Sequence, residues 1–244
     1  MTIMNEIVKE VLNFYLDSNE KIKLPDGCKR VKLDVGLSNN APHAELWLSS
    51  SQENDMCVYG FEPNPYNVEY MKETEFGKSY QGIQIDPKRI DDNFFIIQAA
   101  LSDCEPEYSS FYCTTGDPGT SSIYEPRHFE IKDVVEVPII RLQDFFDLFP
   151  WEKVPYIEQL KTDTQSSDFN VIRGCGKYLS EKIVYLDVEI STSNQYIHEE
   201  NPEEFHNYIL NQGFECISMG GNFSYFNKKY SNILNTIDYK FLNC

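Results

Sequence analysis

No run of basic residues occurs anywhere in this 244-residue chain, and its formal net charge is −18. With nothing to offset repulsion from phosphates, that balance argues against a nucleic acid as partner and against an anionic membrane surface. A solvated acidic exterior accounts for the charge, and the field would tolerate a cationic or neutral small molecule. No Cys-x-x-Cys pair exists among the seven cysteines, at positions 28, 57, 104, 113, 175, 216 and 244. Their scatter and odd number argue against a zinc site or a disulfide framework, so reduced thiols in the cytoplasm are the expectation. Long apolar runs are missing too. Asn5, Glu6, Lys9 and Glu10 interrupt Met1 to Leu16, which therefore reads as neither a signal peptide nor a membrane span. Ile3, Ile7, Val8, Val11, Leu12 and Tyr15 recur at helical spacing, which predicts an amphipathic helical segment within residues 1–30. Internal repeats, low-complexity tracts and linkers are absent, and the expectation is one α/β domain over residues 1–244.

What is present is a globular composition: 41% hydrophobic and 25% charged residues, enough apolar matter for a substantial core. Val31 to Val35 is a short apolar strand passing into a turn at Gly36. Pro42 can open a helix running to about Ser50, because its missing N–H costs nothing there. Cys57 to Phe61 is the second strand, and Pro65 opens a helix that fades near Gly77. Phe94 to Leu101 reads as one buried strand. Tyr108 to Tyr124, centred on Gly116-Asp117-Pro118-Gly119, reads as a hairpin, and with Val134 to Arg141 it forms an inserted region over 108–141. A short helix then runs to about Pro150. Tyr156 to Thr162 is a strand, followed by a helix that Ser166 or Ser167 could cap and that Gly174 and Gly176 end. Lys182 to Ile190 is another buried strand. Asn201-Pro202-Glu203-Glu204 starts a helix that Gly213 stops. Phe214 to Met219 and Phe223 to Asn227 flank Gly220-Gly221-Asn222 as a terminal hairpin.

That alternation predicts an α/β fold: a doubly wound, mostly parallel, seven-stranded Rossmann-like sheet closed by a C-terminal antiparallel hairpin. Such a finish is expected of the S-adenosylmethionine-dependent methyltransferase fold, whereas a nicotinamide Rossmann domain closes with a parallel strand. Gly60-Phe61-Glu62-Pro63-Asn64-Pro65 carries the most information. A carboxylate closing a second strand, downstream of a turn that lets backbone approach closely, can accept both hydrogens of a ribose diol. NAD and S-adenosylmethionine share that ribose, but the chain has no Gly-x-Gly-x-x-Gly.

Six segments, in order, resemble FkbM-type methyltransferases: Leu33-Asp34-Val35-Gly36, Gly60 to Pro65, Ala99-Ala100-Leu101-Ser102-Asp103, Val137 to Leu142, Leu160-Lys161-Thr162-Asp163, and Phe169 to Gly174. The resemblance implies S-adenosylmethionine as cofactor and O-methylation of a hydroxyl on a sugar, a glycan or a sugar-like small molecule. Carried over by position, Asp34 and Gly36 would lie beside the methionine moiety, Glu62 and Asn64 at the ribose, and Ala100, Ser102 and Asp103 along the adenine, with Ser38 a further cofactor contact. Lys161 and Asp163 would face the transferred methyl. Two departures stand out. The family's Asp-Val-Gly-Ala-Asn-x-Gly turn continues here as Leu37-Ser38-Asn39-Asn40, with Asn40 where the last glycine belongs. The family's Lys-Ile-Asp-Val-Glu-Gly becomes Lys161-Thr162-Asp163-Thr164-Gln165-Ser166, which removes a carboxylate at Gln165.

Methyl transfer is an in-line displacement that needs two atoms held in line and a proton removed from a poorly nucleophilic alcohol. Asp163, at the carboxyl end of a central strand, is the candidate for that proton, or else a helix cap or a ligand to the cofactor's amino group. Glu189 could join Asp163 around a divalent cation such as Mg²⁺, or serve as a cap. His43, near the first turn, is the best placed histidine for a base, ahead of His128, His198 and His206; a lone histidine is also commonly structural. The competing classes are a non-catalytic methyltransferase-like binding or assembly module, motivated by Gln165, Ser166 and the altered first turn, and a nicotinamide oxidoreductase.

Overall fold

The computed structural model describes residues 4–51, 55–74, 82–191, 194–198, 200–220 and 222–233. Ile3, Gly77, Gly221 and Cys244, which figured in the sequence reading, lie outside them. The chain runs α1 (Glu6–Leu12), β1 (Arg30–Val35), α2 (Pro42–Ser50), β2 (Met56–Phe61), α3 (Pro65–Glu73), β3 (Phe94–Ile97), β4 (Ala100–Leu101), β5 (Glu107–Thr114) and β6 (Ile131–Ile140). It continues as α4 (Leu142–Asp147), β7 (Ile157–Thr162), α5 (Asp168–Arg173), α6 (Tyr178–Lys182), β8 (Ile183–Val188), α7 (Pro202–Asn211), β9 (Phe214–Met219) and β10 (Phe223–Asn227).

Seven strands form one sheet in the order β3-β2-β1-β7-β8-β10-β9. β1, β2, β3, β7 and β8 pair in parallel, and β10 joins β8 and β9 antiparallel, as the sequence predicts. The order reverses at β1, whose neighbours are β2 and β7, and ligands of open α/β sheets collect at the carboxyl ends of strands flanking such a point. One face of the sheet buries Val31, Leu33, Tyr59, Phe61 and Leu160 against Phe145, Val171 and Ile209 from α4, α5 and α7. The other face packs Met56, Val58 and Phe94 against Ala44, Trp47 and Val68 from α2 and α3. Strands enclosed on both faces read as nearly unbroken apolar runs, which is why they were visible in the sequence.

Three expectations change. Phe94 to Leu101 is not one strand: a turn closed by Ala99 N–H on the Ile97 carbonyl hands β3 to the main sheet and β4 to a separate three-stranded sheet, ordered β4-β6-β5. The hairpin beginning at Tyr108 does not return at Tyr124. β5 pairs antiparallel with β6, and the intervening chain touches β5 at the isolated Tyr112–Ser122 bridge. Neither Ser166 nor Ser167 caps α5 with its hydroxyl, since Ser167 Oγ donates back to the Thr164 carbonyl. The first turn of α5 is held instead by Glu200, whose Oε1 accepts from Phe169 N–H at 2.7 Å. Among the described residues no helix is long and apolar enough to cross a membrane.

Candidate active site

The carboxyl ends of β1, β2 and β7 open into a cleft walled by Gly36, Ser38, Glu62, Ala100 and Asp163 and covered by the segment Asp117 to Ser121 from the β5–β6 insertion. Its first wall is nearly all backbone. Gly36 has φ +79, and a Cβ there would stand 1.8 Å from the Asp163 carbonyl oxygen. Gly36 N–H donates to Phe61 O at 3.0 Å and Asp163 N–H to Val35 O at 3.0 Å, so the ends of three strands are stitched together where a side chain has no room. Ser38 follows with φ 55.

Glu62 is 4% exposed at the cleft floor. Its Oε1 accepts from Asn64 N–H at 3.0 Å and from Asn67 Nδ2 at 3.3 Å. Burial pushes this carboxyl up to about 7 despite those bonds. Asn64 stands beside the cleft rather than in it. Its Oδ1 caps α3 by accepting from Tyr66 N–H at 3.1 Å, and its Nδ2 reaches Ser121 Oγ at 3.4 Å.

Several residues expected to touch a ligand stand behind this wall. Asp34 is fully buried: Oδ2 accepts from Ala44 N–H at 3.2 Å, and Oδ1 pairs with Lys161 Nζ at 3.2 Å. Lys161, 3% exposed, donates to the Gly36 carbonyl at 2.7 Å and lies 3.9 Å from Asp163. Burial alone would lower its ammonium, but Asp34 and Asp163 outweigh that and hold it above its ordinary value. The pair therefore braces the first turn from below. Ser102 is pressed by its carbonyl against Gly174, and Asp103 pairs at the surface with Arg173 at 2.9 Å. Neither reaches the cleft. His43 lines a separate cavity with Trp47, Gln159 and Asp187.

The far wall is built from side chains. Asp163 keeps 38% of its side chain exposed. Burial would raise its carboxyl; the Lys161 ammonium and hydrogen bonds from Glu189 and Gln165 override this and hold it below the ordinary value. Glu189 moves the other way: burial and the neighbouring Asp163 push it up to about 8, so it keeps its proton and donates it to Asp163. Gln165, at the position where the family acid is lacking, supplies Nε2 to Asp163 Oδ1 at 2.9 Å and to Glu189 Oε2 at 3.2 Å. Both amide hydrogens are thus used on the two carboxyls. The carboxyl pair expected to bind a divalent cation faces these hydrogens, and among the described residues no group of three His, Cys, Asp or Glu could hold a metal.

Gln165 also ties this wall to the insertion. Its carbonyl accepts from Ser122 Oγ at 2.8 Å, and its Oε1 lies 3.0 Å from the Tyr196 hydroxyl, which is 2.8 Å from the Thr120 carbonyl. Asp168, raised to about 8 by burial, accepts Thr164 N–H on both oxygens at 3.1 and 3.2 Å. Sequence reasoning missed Tyr196, Asp168, Glu200 and the Thr120–Ser122 cover. The polar Thr120-Ser121-Ser122 run was a usable signal, whereas Tyr196 carried none.

The FkbM methyltransferase domain model matches residues 34–216. The chain belongs to the FkbM methyltransferase family. Among solved structures it is similar to the methyltransferase FkbM from Methylobacillus flagellatus KT, at 13% identity and a TM-score of 0.47. That match covers 84% of this chain and 44% of the other, so this family member spans less than half the length of that relative. No curated protein matches it.

Proposed function

We propose that this chain is an S-adenosylmethionine-dependent O-methyltransferase acting on a hydroxyl of a sugar, a glycan or a sugar-like small molecule. One observation carries the reading: a buried Glu62 carboxyl and the side-chain-free Gly36 turn share a cleft with Asp163. The residues fit the cofactor. Glu62 can accept ribose hydroxyls, Gly36 leaves backbone exposed for close approach, and Phe61, Ala100, Phe111 and Ile123 offer an apolar slot suited to a purine. Bound S-adenosylmethionine supplies a methyl group on a positively charged sulfonium. Asp163, ionised and reachable from the cleft, would take the acceptor hydroxyl's proton, while Glu189 and Gln165 fix the direction of its oxygens. The Asp117–Ser121 cover would exclude water and help hold donor and acceptor in line. The ionised Asp163 carboxylate favours a cationic cofactor and a neutral or cationic acceptor over a phosphorylated one.

Calorimetry with S-adenosylhomocysteine tests the cofactor half. Binding is expected for the native chain, with a loss of at least about tenfold in Glu62→Ala, the size of a lost bond to a charged group. No binding at millimolar ligand, or equal binding by the variant, would overturn the site. For the chemistry, methyl transfer to a panel of sugars should fall by about 100-fold or more in Asp163→Asn with the cofactor affinity unchanged. Near-native turnover would remove Asp163 from the reaction.

A further inference from the structure

Cys28 and Cys57 stand 29 positions apart in no recognisable motif, yet the fold brings their sulfurs to 3.1 Å. The cause is local. Cys28 lies just before β1, Cys57 is the second residue of β2, and the strands pair in parallel with Val31 opposite Cys57. Lys29 and Arg30 N–H both donate to the Asp55 carbonyl, at 2.8 and 3.1 Å, which clamps the amino ends of the two strands together. Cys57 is fully buried, whereas Cys28 is only partly covered. Cys28 Sγ also reaches the Arg30 carbonyl at 3.4 Å, but among the described residues the other cysteine sulfurs meet only oxygen acceptors: Cys104 meets Glu107, Cys113 meets Asn64, Cys175 meets the Val171 carbonyl and Cys216 meets the Ser218 carbonyl.

We propose that Cys28 and Cys57 form an oxidisable dithiol that a low-molecular-weight disulfide converts to an intramolecular disulfide at the amino ends of β1 and β2. The Cys28 thiolate attacks one sulfur of the oxidant, forming a mixed disulfide and releasing the first small thiolate. The Cys57 sulfur then attacks Cys28 Sγ, forming the protein disulfide and expelling the second. Two thiol protons are released to the two departing thiolates, and the two electrons leave with them, so the oxidant is reduced to two thiols. The geometry suits this order because the less buried Cys28 meets the oxidant while the fully buried Cys57 waits within reach. The acidities agree: the Cys57 thiol beside it holds Cys28 below the ordinary thiol range, and burial pushes Cys57 above it. A six-residue strand spans about 20 Å, so the bond would form at the opposite end of β1 and β2 from Gly36 and Glu62. Oxidation should therefore leave the cleft intact while closing a loop that contains β1, the first turn and α2.

The test treats the full native chain with oxidised glutathione, alkylates remaining thiols and maps non-reduced peptides. The expected result is loss of two hydrogens in intact mass with a peptide joining Cys28 to Cys57. A rise of about 5 °C in unfolding midpoint should accompany it, from loop closure in the unfolded chain. Affinity for S-adenosylhomocysteine should stay the same, so failure of the cofactor reading and failure of the dithiol are separable. Cys28→Ser, at a partly covered position, should fold and lose the cross-link and the midpoint shift together; Cys57→Ala should trap a stable glutathione adduct on Cys28. Recovery of Cys28 and Cys57 as separately alkylated peptides from the oxidised native chain would overturn the proposal. So would a lasting glutathione adduct on native Cys28.

Discussion

The two walls of the cleft are built from different materials. At the ends of β1 and β2 the surface is backbone plus one buried carboxyl, and its shape is set by strand ends with no room to move. Beyond the ends of β7 and β8 the wall is a net of side chains: Asp163 and Gln165 face the cleft, and Glu189 and Tyr196 bond to Gln165 behind them. Backbone geometry of the first kind tolerates almost no substitution, since any added atom meets a carbonyl. A side-chain net tolerates exchange of members, but each exchange alters which group holds a proton. In this chain the Gln165 amide satisfies both carboxyls, where a third carboxylate would repel them.

The sharpest way to break this contrast is Gly36→Ala. Its methyl would enter the Asp163 carbonyl, and its backbone would be held at φ +79. A destabilisation of about 3 kcal/mol or more is expected, with S-adenosylhomocysteine binding lost, from overpacking plus a left-handed alanine. Urea unfolding and calorimetry check both, and a folded, binding variant would show that the first wall is not rigid. Gln165→Glu comes next. It removes two donors and sets a third carboxyl within 2.9 and 3.2 Å of Asp163 and Glu189. We expect about 2 kcal/mol of lost stability, while binding through Glu62 survives. If binding were lost too, the walls would not be independent.

The legible part of the molecule follows the same division. The strand segments, the Gly36 turn and the Glu62 turn depend on residues close in sequence, so Pro42, Pro65 and Asn201 marked their helices as the structure has them. Asp34 and Lys161 were each placed on a strand, and the structure pairs those strands, but sequence spacing does not say which strand residue points at a ligand and which at the turn beneath it. The far wall depends on meetings across long separations. Tyr196 meets Thr120 and Gln165 only after the insertion folds back, and β5 finds its partner in β6, past a stretch that itself looked like the returning strand.

Proton linkage sharpens the account of the first wall. Burial raises Glu62 from its ordinary 4.5 to about 7, so without ligand the folded chain holds a proton that the unfolded chain would release. This contribution costs stability as pH rises from the lower value through the upper one. Ribose hydroxyls favour the ionised form, which gives ligand binding the opposite trend. Affinity for S-adenosylhomocysteine should therefore climb about tenfold between about pH 6 and 8 and level off above, with Glu62→Gln flat over the range. A native profile as flat as the variant's would detach Glu62 from the cofactor.

The smallest effect probes the strain stored where the two walls meet. Gln165 and Ser166 are consecutive residues with φ 57 and 76, held left-handed although neither is glycine. A left-handed L-residue costs roughly 1–2 kcal/mol, and glycine regains part of that while losing some entropy advantage in the unfolded chain. Ser166→Gly should therefore stabilise the chain by only about 0.5 kcal/mol in urea unfolding. The Gln165 bonds to Asp163 and Glu189 depend on this backbone, so methyl transfer should fall if glycine lets the loop relax away from them. A gain in stability with unchanged turnover would mean that the hydrogen-bond net, rather than the strained backbone, keeps Gln165 in place.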